Sequence, residues 1–225
     1  MCGRGTQAMT WRQVHEKLSL VPSHRVLDLQ PRYNIAPTTD ISIVRETDGG
    51  RVVETARWDL VPSWWKKPLK DKTFSTYNAR AETITQTASF RTAWRKGRRC
   101  IVPMTFYEWN RPRKKGEAPY YIYPAHESFF RLAGIWDEWA DPETGEVILS
   151  CAVITCAPNA FMAKLHDRMP VILGADQADA WFNAPPEEAL EMLKACPSDW
   201  MNAHRVSPYV NNARNQGPEC IERAE

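Results

Sequence analysis

Cys2, directly after the initiator methionine, is the residue of this chain with the most chemistry open to it. Initiator methionine is generally removed when the second side chain is small. Its loss leaves an α-amine and a thiol on one residue. Reference pKa values of about 7.7–8.0 and about 8.5 make both partly nucleophilic at neutral pH. A 1,2-aminothiol takes an aldehyde in two steps: the amine forms an imine, and the thiolate closes onto the imine carbon to give a thiazolidine. The alternative is an ordinary second residue.

Three further residues have proton chemistry or orienting power. Glu108 lies in FYEWN (106–110), where aromatic neighbours predict desolvation and a raised carboxyl pKa suited to acid–base work. Strand alternation equally permits a solvent-facing Glu108. His166 precedes Asp167 and Arg168 and is a candidate general acid–base oriented by a carboxylate, or a structural histidine. Asn78, in TYNARAET (76–83), is a neutral donor and acceptor that could orient a sugar hydroxyl or an imine.

Charge is segregated. The net charge is +2, yet residues 57–115 hold 15 Lys/Arg against 4 Asp/Glu, while the remainder has an excess of acid. The same segment holds five of the ten tryptophans, Trp58, Trp64, Trp65, Trp94 and Trp109. Cations that track phosphates and rings that stack on bases make a single-stranded nucleic-acid groove. A solvated basic face with core tryptophans has the same composition. The six cysteines (2, 100, 151, 156, 196, 220) have no metal-site spacing, and free thiols are expected, with Cys151 and Cys156 in the core.

The elements that must position these residues are mostly strands. Thr10 to Gln13 reads as a capping box opening a helix with Trp11, Val14, His15 and Leu18 on one face. ISIVR (41–45) and RVVETARW (51–58) read as a hairpin. A helix is expected over 87–96 with Gly97 as its stop, then strands at 99–104, 105–109, 119–124, 129–136 and 147–155. A short helix over 158–165, a surface helix over 187–195 and a late strand over 204–210 complete the pattern. Strands dominate and βαβ alternation is absent, so the fold class is α+β, a largely antiparallel sheet curled into an open barrel-like core with flanking helices. No apolar run reaches 18 residues and no signal-peptide core opens the chain, so an intracellular, non-secreted protein is expected, cytoplasmic and nucleoid-associated if bacterial. Neither GxGxxG nor GxxxxGK[ST] occurs, which removes the nucleotide-cofactor folds.

MCGR, RYNIAPT (32–38), YNARAET (77–83), RRCIVPMTFYEW (98–109), LAGIWDEW (132–139), CAVITCAPN (151–159), LHDRMPVIL (165–173) and VNNARNQGPECI (210–221) occur in this order. Together they resemble the SRAP family, the SOS-response-associated peptidases, whose members are abasic-site sensors that crosslink to DNA. The resemblance implies a single SRAP domain over 1–225. It implies a covalent bond from Cys2 to the ring-opened aldehyde of an abasic site in single-stranded DNA, with Asn78, Glu108 and His166 around the nucleophile. It makes Arg4, Arg80 and Arg168 phosphate contacts, Trp64 and Trp65 an aromatic wedge beside the lesion, and Pro37 and Thr38 a loop lining the groove. No metal or organic cofactor, no membrane and no obligate protein partner are implied, and a monomer is expected. The family usually has Trp-Gly where this chain has Trp58-Asp59; if that glycine has φ > 0, Asp is among the better-tolerated replacements, with a charge that weakens DNA contact locally. Two other classes share these residues: a cysteine peptidase, minimally one that removes its own Met1, and a non-covalent single-strand binding module in which Cys2 is incidental.

Overall fold

The strand over Arg99–Glu108 buries all ten of its residues. A strand with one wet face alternates, so one buried throughout needs cover on both faces. The computed structural model describes residues 3–21, 30–110, 112 and 116–224, and supplies that cover from two sheets. In chain order the strands are β1 (Gly5–Gln7), β2 (Arg32–Ile35), β3 (Asp40–Thr47), β4 (Gly50–Trp58), β5 (Asn78–Arg80), β6 (Arg99–Glu108), β7 (Tyr120–Pro124), β8 (Phe130–Ala140), β9 (Val147–Cys156), β10 (Met169–Pro170) and β11 (Met201–Arg205). The helices are α1 (Trp11–Leu18), α2 (Arg91–Arg95), α3 (Ala175–Asn183) and α4 (Pro186–Glu191).

The barrel expected from the strand pattern is present, and it closes. β9, β4, β3, β6 and β8 pair in turn, and β8 returns to β9, giving a ring of five strands. All pairs in the ring are antiparallel except β4 with β9. The first half of β6 belongs to this ring, paired with β8 over Arg99–Met104. Its second half leaves the ring and pairs with β1 and β7, which carry β2 and β11 on their far sides. A strand that passes from one sheet to another makes the corner between them. Here it delivers Glu108 to the far end of that corner. Residues 206–221 fold back over the second sheet, packing Val206, Val210 and Cys220 on Tyr107 and Trp109.

Local signals account for much of this. Thr10 caps α1 with its side chain accepting from the Gln13 amide, and Gln13 returns the bond in a capping box. Val14 and Leu18 are buried, and Trp11 lies 4.6 Å from His15. The β3–β4 hairpin turns through Asp48 and Gly49 with Thr47 opposite Gly50. Cys100, Cys151, Cys156, Cys196 and Cys220 are free and buried. Burial pushes the Cys156 thiol up to about 11 and the Cys196 thiol up to about 12, so neither is a nucleophile near neutral pH.

Other expectations are corrected. The helix over 87–96 shrinks to α2, preceded by turns in which the Phe90 and Arg91 amides both donate to the Thr87 carbonyl. The helix over 158–165 is one 3₁₀ turn, Met162–Lys164, closed when the Met162 carbonyl accepts from both Leu165 and His166. The helix over 187–195 is the shorter α4, with Ala189 its one buried residue. The late strand begins earlier, at Met201, and ends before Ser207 and Pro208, which open a 3₁₀ turn. Segments 99–104 and 105–109 are one strand, not two. The basic loop after Trp109 falls mainly at 111 and 113–115, outside the described residues.

α3 was not expected from the sequence. It buries Ala178, Trp181 and Phe182, and the Trp181 indole donates to the Cys100 carbonyl at 2.9 Å while packing 6.1 Å from the Trp94 ring. Trp181→Ala removes a fully buried ring and that bond, and should cost about 3–5 kcal/mol in urea unfolding; a loss below about 1 kcal/mol contradicts this packing role. In the β2–β3 turn, Thr38 has φ of 71°, a left-handed conformation that β-branched residues rarely adopt. Its amide donates to the Trp58 carbonyl at 2.8 Å, and its own carbonyl accepts from Arg57 at 2.9 Å. Relief of roughly 1–2 kcal/mol of left-handed strain outweighs roughly 0.5–1 kcal/mol of added chain entropy. Thr38→Gly should therefore stabilise by up to about 1 kcal/mol in the same assay, and a clear destabilisation contradicts the strain.

Candidate active site

Glu108 ends β6 and is 4% exposed, and His166, after the 3₁₀ turn, is also 4% exposed. Their elements are far apart in sequence, yet His166 Nε2 lies 3.8 Å from Glu108 Oε1. That is longer than a hydrogen bond, and a small movement of either side chain closes it. At its other nitrogen, His166 faces groups that require opposite tautomers. The Arg168 backbone N–H donates to Nδ1 at 3.0 Å, and Asp167 Oδ1 lies 2.9 Å from the same atom. The amide can only donate, whereas the Asp167 side chain is 63% exposed and shares its carboxylate with water. A neutral ring that accepts the Arg168 amide at Nδ1 carries its proton on Nε2, facing Glu108. The pair is a buried carboxyl beside an imidazole, a couple able to pass a proton in either direction.

The N-terminal strand runs towards this pair. Gly5 pairs with Phe106 and Thr6 with Thr105, and the Tyr107 amide donates to the Arg4 carbonyl at 2.9 Å. Cys2 itself lies outside the described residues. Asn78 opens β5, half-buried, parallel to β9 and opposite Val153.

Of the basic residues singled out, Arg80 is exposed at the end of β5. Arg168 grips Glu82 with two bonds of 2.6 and 2.9 Å and donates to the Thr155 carbonyl at 2.6 Å. Hydrogen bonding from Arg168 holds the Glu82 carboxyl below its usual range. Arg4 donates to Asn34 Oδ1 at 2.8 Å and to the Val210 carbonyl at 2.9 Å. Among the five tryptophans of the basic segment, Trp58, Trp94 and Trp109 are core residues, Trp64 is 43% exposed and Trp65 is half-buried. Trp64 donates to the Ala88 carbonyl at 3.1 Å, and its ring meets Trp65 edge-on at 6.3 Å. Pro37 is half-buried and Thr38 exposed on the turn that hydrogen-bonds to Trp58.

Asp59 differs from its sequence reading. It does not have positive φ and does not present a charge to solvent. Its carboxylate is buried, bonded to Lys72 Nζ at 2.7 Å and to the Thr76 amide at 2.7 Å. The reason is local: a lysine thirteen positions on supplies the counter-charge that makes burial affordable.

Sequence reasoning missed two anchors. Buried Asn34 accepts from Arg4 at its side-chain oxygen; its backbone amide donates to Gln216 Oε1 at 3.3 Å, and the Gln216 side-chain nitrogen donates back to the Asn34 carbonyl at 2.9 Å. Its two amide hydrogens serve the carbonyls of Val210, Asn212 and Asn215. One side chain thus ties the N-terminal strand to the C-terminal segment; the amide-rich run VNNARNQ was the available signal. Asp137, 1% exposed in LAGIWDEW, pairs with Arg98 and accepts from the Ser63 amide at 2.8 Å, fixing the loop that carries Trp64. Nothing local distinguishes it from other strand carboxylates. Among the described residues no three His, Cys, Asp or Glu side chains gather as metal ligands, and no helix is long and apolar enough to cross a membrane.

Comparison with known proteins agrees with this architecture. Residues 1–213 match the model of the family described as SOS response associated peptidase (SRAP). The chain is 34% identical to the abasic site processing protein YoqW of Bacillus subtilis over 99% of both chains. It is 34% identical to the abasic site processing protein HMCES of Xenopus tropicalis, covering 85% of this chain and 66% of that one. A crystal structure of a protein from Bacteroides thetaiotaomicron superposes with a TM-score of 0.87 at 28% identity over 100% of both chains. A family match over residues 1–213, with relatives about a third identical over nearly the whole length, places this chain in the SRAP family.

Proposed function

We propose that this protein captures abasic sites in single-stranded DNA by forming a thiazolidine between mature Cys2 and the lesion's aldehyde, acting as a monomer. The observation that carries the reading is the buried Glu108–His166 couple at the end of the strand alongside which the N-terminal strand runs. The names of the relatives, abasic site processing proteins, support the same substrate.

The chemistry follows from proton bookkeeping. Glu108, protonated at the start, gives its proton to the sugar ring oxygen as the C1′–O4′ bond breaks, and the anomeric hydroxyl returns a proton to the couple, leaving an open-chain aldehyde. The Cys2 amine adds to that carbon, the resulting hydroxyl leaves as water with a proton from the Glu108–His166 couple, and the nitrogen returns a proton to the couple to give the neutral imine. The Cys2 thiolate then adds to the imine carbon, and the ring nitrogen takes up a proton. Asn78 holds the amine or the sugar by hydrogen bonds. Arg4, Arg80 and Arg168 supply positive charge near the phosphates, and Trp64 and Trp65 stack beside the lesion with Pro37 and Thr38 along the same groove. The chain also removes its own Met1 or has it removed, since a retained Met1 converts the amine to an amide.

Incubation with an abasic oligonucleotide followed by a heated denaturing gel tests this directly. Wild type should give a shifted, heat-stable band; a complex that dissociates on heating supports a non-covalent binding module instead. Cys2→Ala should abolish the band while keeping most affinity for undamaged single strands, because that affinity comes from phosphates and stacking. An equal band from Cys2→Ala rejects the residue 2 mechanism. Glu108→Gln keeps the shape but loses the acidic proton, so crosslinking should slow roughly 10²–10⁴-fold on the closed sugar, with a smaller defect on an open-chain aldehyde. An unchanged rate on the closed sugar assigns proton transfer to His166 or water.

A further inference from the structure

Asp59 is the first residue after β4, and Thr76 lies two residues before Asn78 opens β5. Between them the chain makes a long excursion that carries Trp64 and Trp65. Asp137 and Trp139 hold its middle through the Ser63 amide and the Trp65 carbonyl, and one carboxylate closes its base. Asp59 Oδ1 accepts from the Thr76 amide at 2.7 Å and faces the Thr76 hydroxyl at 3.0 Å, and that hydroxyl also reaches the Leu60 carbonyl at 2.6 Å. Asp59 Oδ2 accepts from Lys72 Nζ at 2.7 Å, with the two side chains 8% and 2% exposed. Lys72 donates a second bond to the Phe74 carbonyl at 2.7 Å and lies 4.7 Å from the Phe74 ring. Phe74 in turn meets Trp65 edge-on at 5.4 Å, and Trp65 meets Trp64.

A continuous chain of contacts therefore runs from Asp59 through Lys72 and Phe74 to the two tryptophans, and a second runs through Thr76 towards Asn78. A buried ion pair contributes little net stability against neutral groups of similar size, because desolvation offsets the attraction. What it supplies is direction: the pair holds one geometry in a segment where no regular sheet or helix fixes the backbone, apart from one short 3₁₀ turn. We propose that Asp59 and Lys72 are a positioning pair that sets the Trp64–Trp65 loop and Asn78 together, so that the stacking surface and the orienting amide meet the lesion in one arrangement. The functional half of this rests on the reading above, that the loop contacts single-stranded DNA.

Two variants separate positioning from stability. Asp59→Asn leaves Lys72 buried without its counter-charge. The double variant Asp59→Asn with Lys72→Met replaces the pair by neutral side chains, which should recover the melting temperature. If the pair positions the loop, both variants bind an undamaged single-stranded oligonucleotide at least about fivefold more weakly, the lower end of one lost stack. Both also crosslink the abasic oligonucleotide more slowly at saturating DNA. In free protein, amide hydrogen exchange should rise in peptides from 60–78 and stay at the wild-type level in β6 and β9. In a Trp64→Ala, Trp65→Ala background, Asp59→Asn should weaken binding no further. Recovery of wild-type affinity along with melting temperature in the double variant overturns the proposal. So does unchanged exchange over 60–78, or a full additive loss in the double-tryptophan background. Should Trp64→Ala with Trp65→Ala alone leave affinity intact, the reading of the loop as a DNA contact fails, and exchange over 60–78 still decides whether the pair pins it.

Discussion

One strand is shared between two sheets, and the rest of the molecule is arranged around that constraint. β6 closes the barrel with its first half and builds the second sheet with its remainder, so all of it is buried. A carboxylate at the end of such a strand is carried into the interior by backbone pairing. The backbone position of Glu108 is set by the register of β6 against its four neighbouring strands. The histidine beside it follows the short 3₁₀ turn between β9 and β10. A carboxylate and an imidazole are brought within 3.8 Å by topology, and the energy of burying them comes from the core on either side.

The same logic separates the aromatic residues by task. Trp58, Trp94 and Trp181 are ordinary core rings whose indole or packing contacts close the barrel. Trp64 stays exposed although its loop is bonded at several points: Ser63 to Asp137, the Trp65 carbonyl to Trp139, and the loop base to Asp59. An exposed ring on a fixed loop loses little entropy on meeting a flat partner, which suits stacking. The N- and C-terminal segments are joined by a different device, the amide of Asn34, which leaves the N-terminal strand tied at both edges.

What was legible in the sequence follows the range of the interaction involved. The capping box of α1, the Asp48–Gly49 hairpin and the apolar runs of β6 to β9 depend on neighbours a few residues away, and they could be read directly. Glu108 and His166 could be nominated from their type and surroundings, but their proximity depends on strand order, which no local pattern encodes. α3 escaped because its apolar residues Ala178, Trp181 and Phe182, although spaced i, i+3, i+4 as on one helix face, span barely more than one turn behind a polar first turn. Asp59 was misread as a local substitution because its partner, Lys72, lies within a basic run that looked uniformly solvated. The charge surplus of residues 57–115 therefore overstated what faces solvent, and three of its five tryptophans are core.

The central claim is that the reacting atoms belong to residue 2 with its amine exposed. The most direct measurement is peptide-level mass spectrometry of the protein after reaction with an abasic oligonucleotide and digestion of both partners. A sugar remnant is expected on the N-terminal peptide, beginning at Cys2 without Met1, at the mass of addition with loss of one water. A remnant on a lysine side chain such as Lys72, or on a peptide that retains Met1, contradicts it.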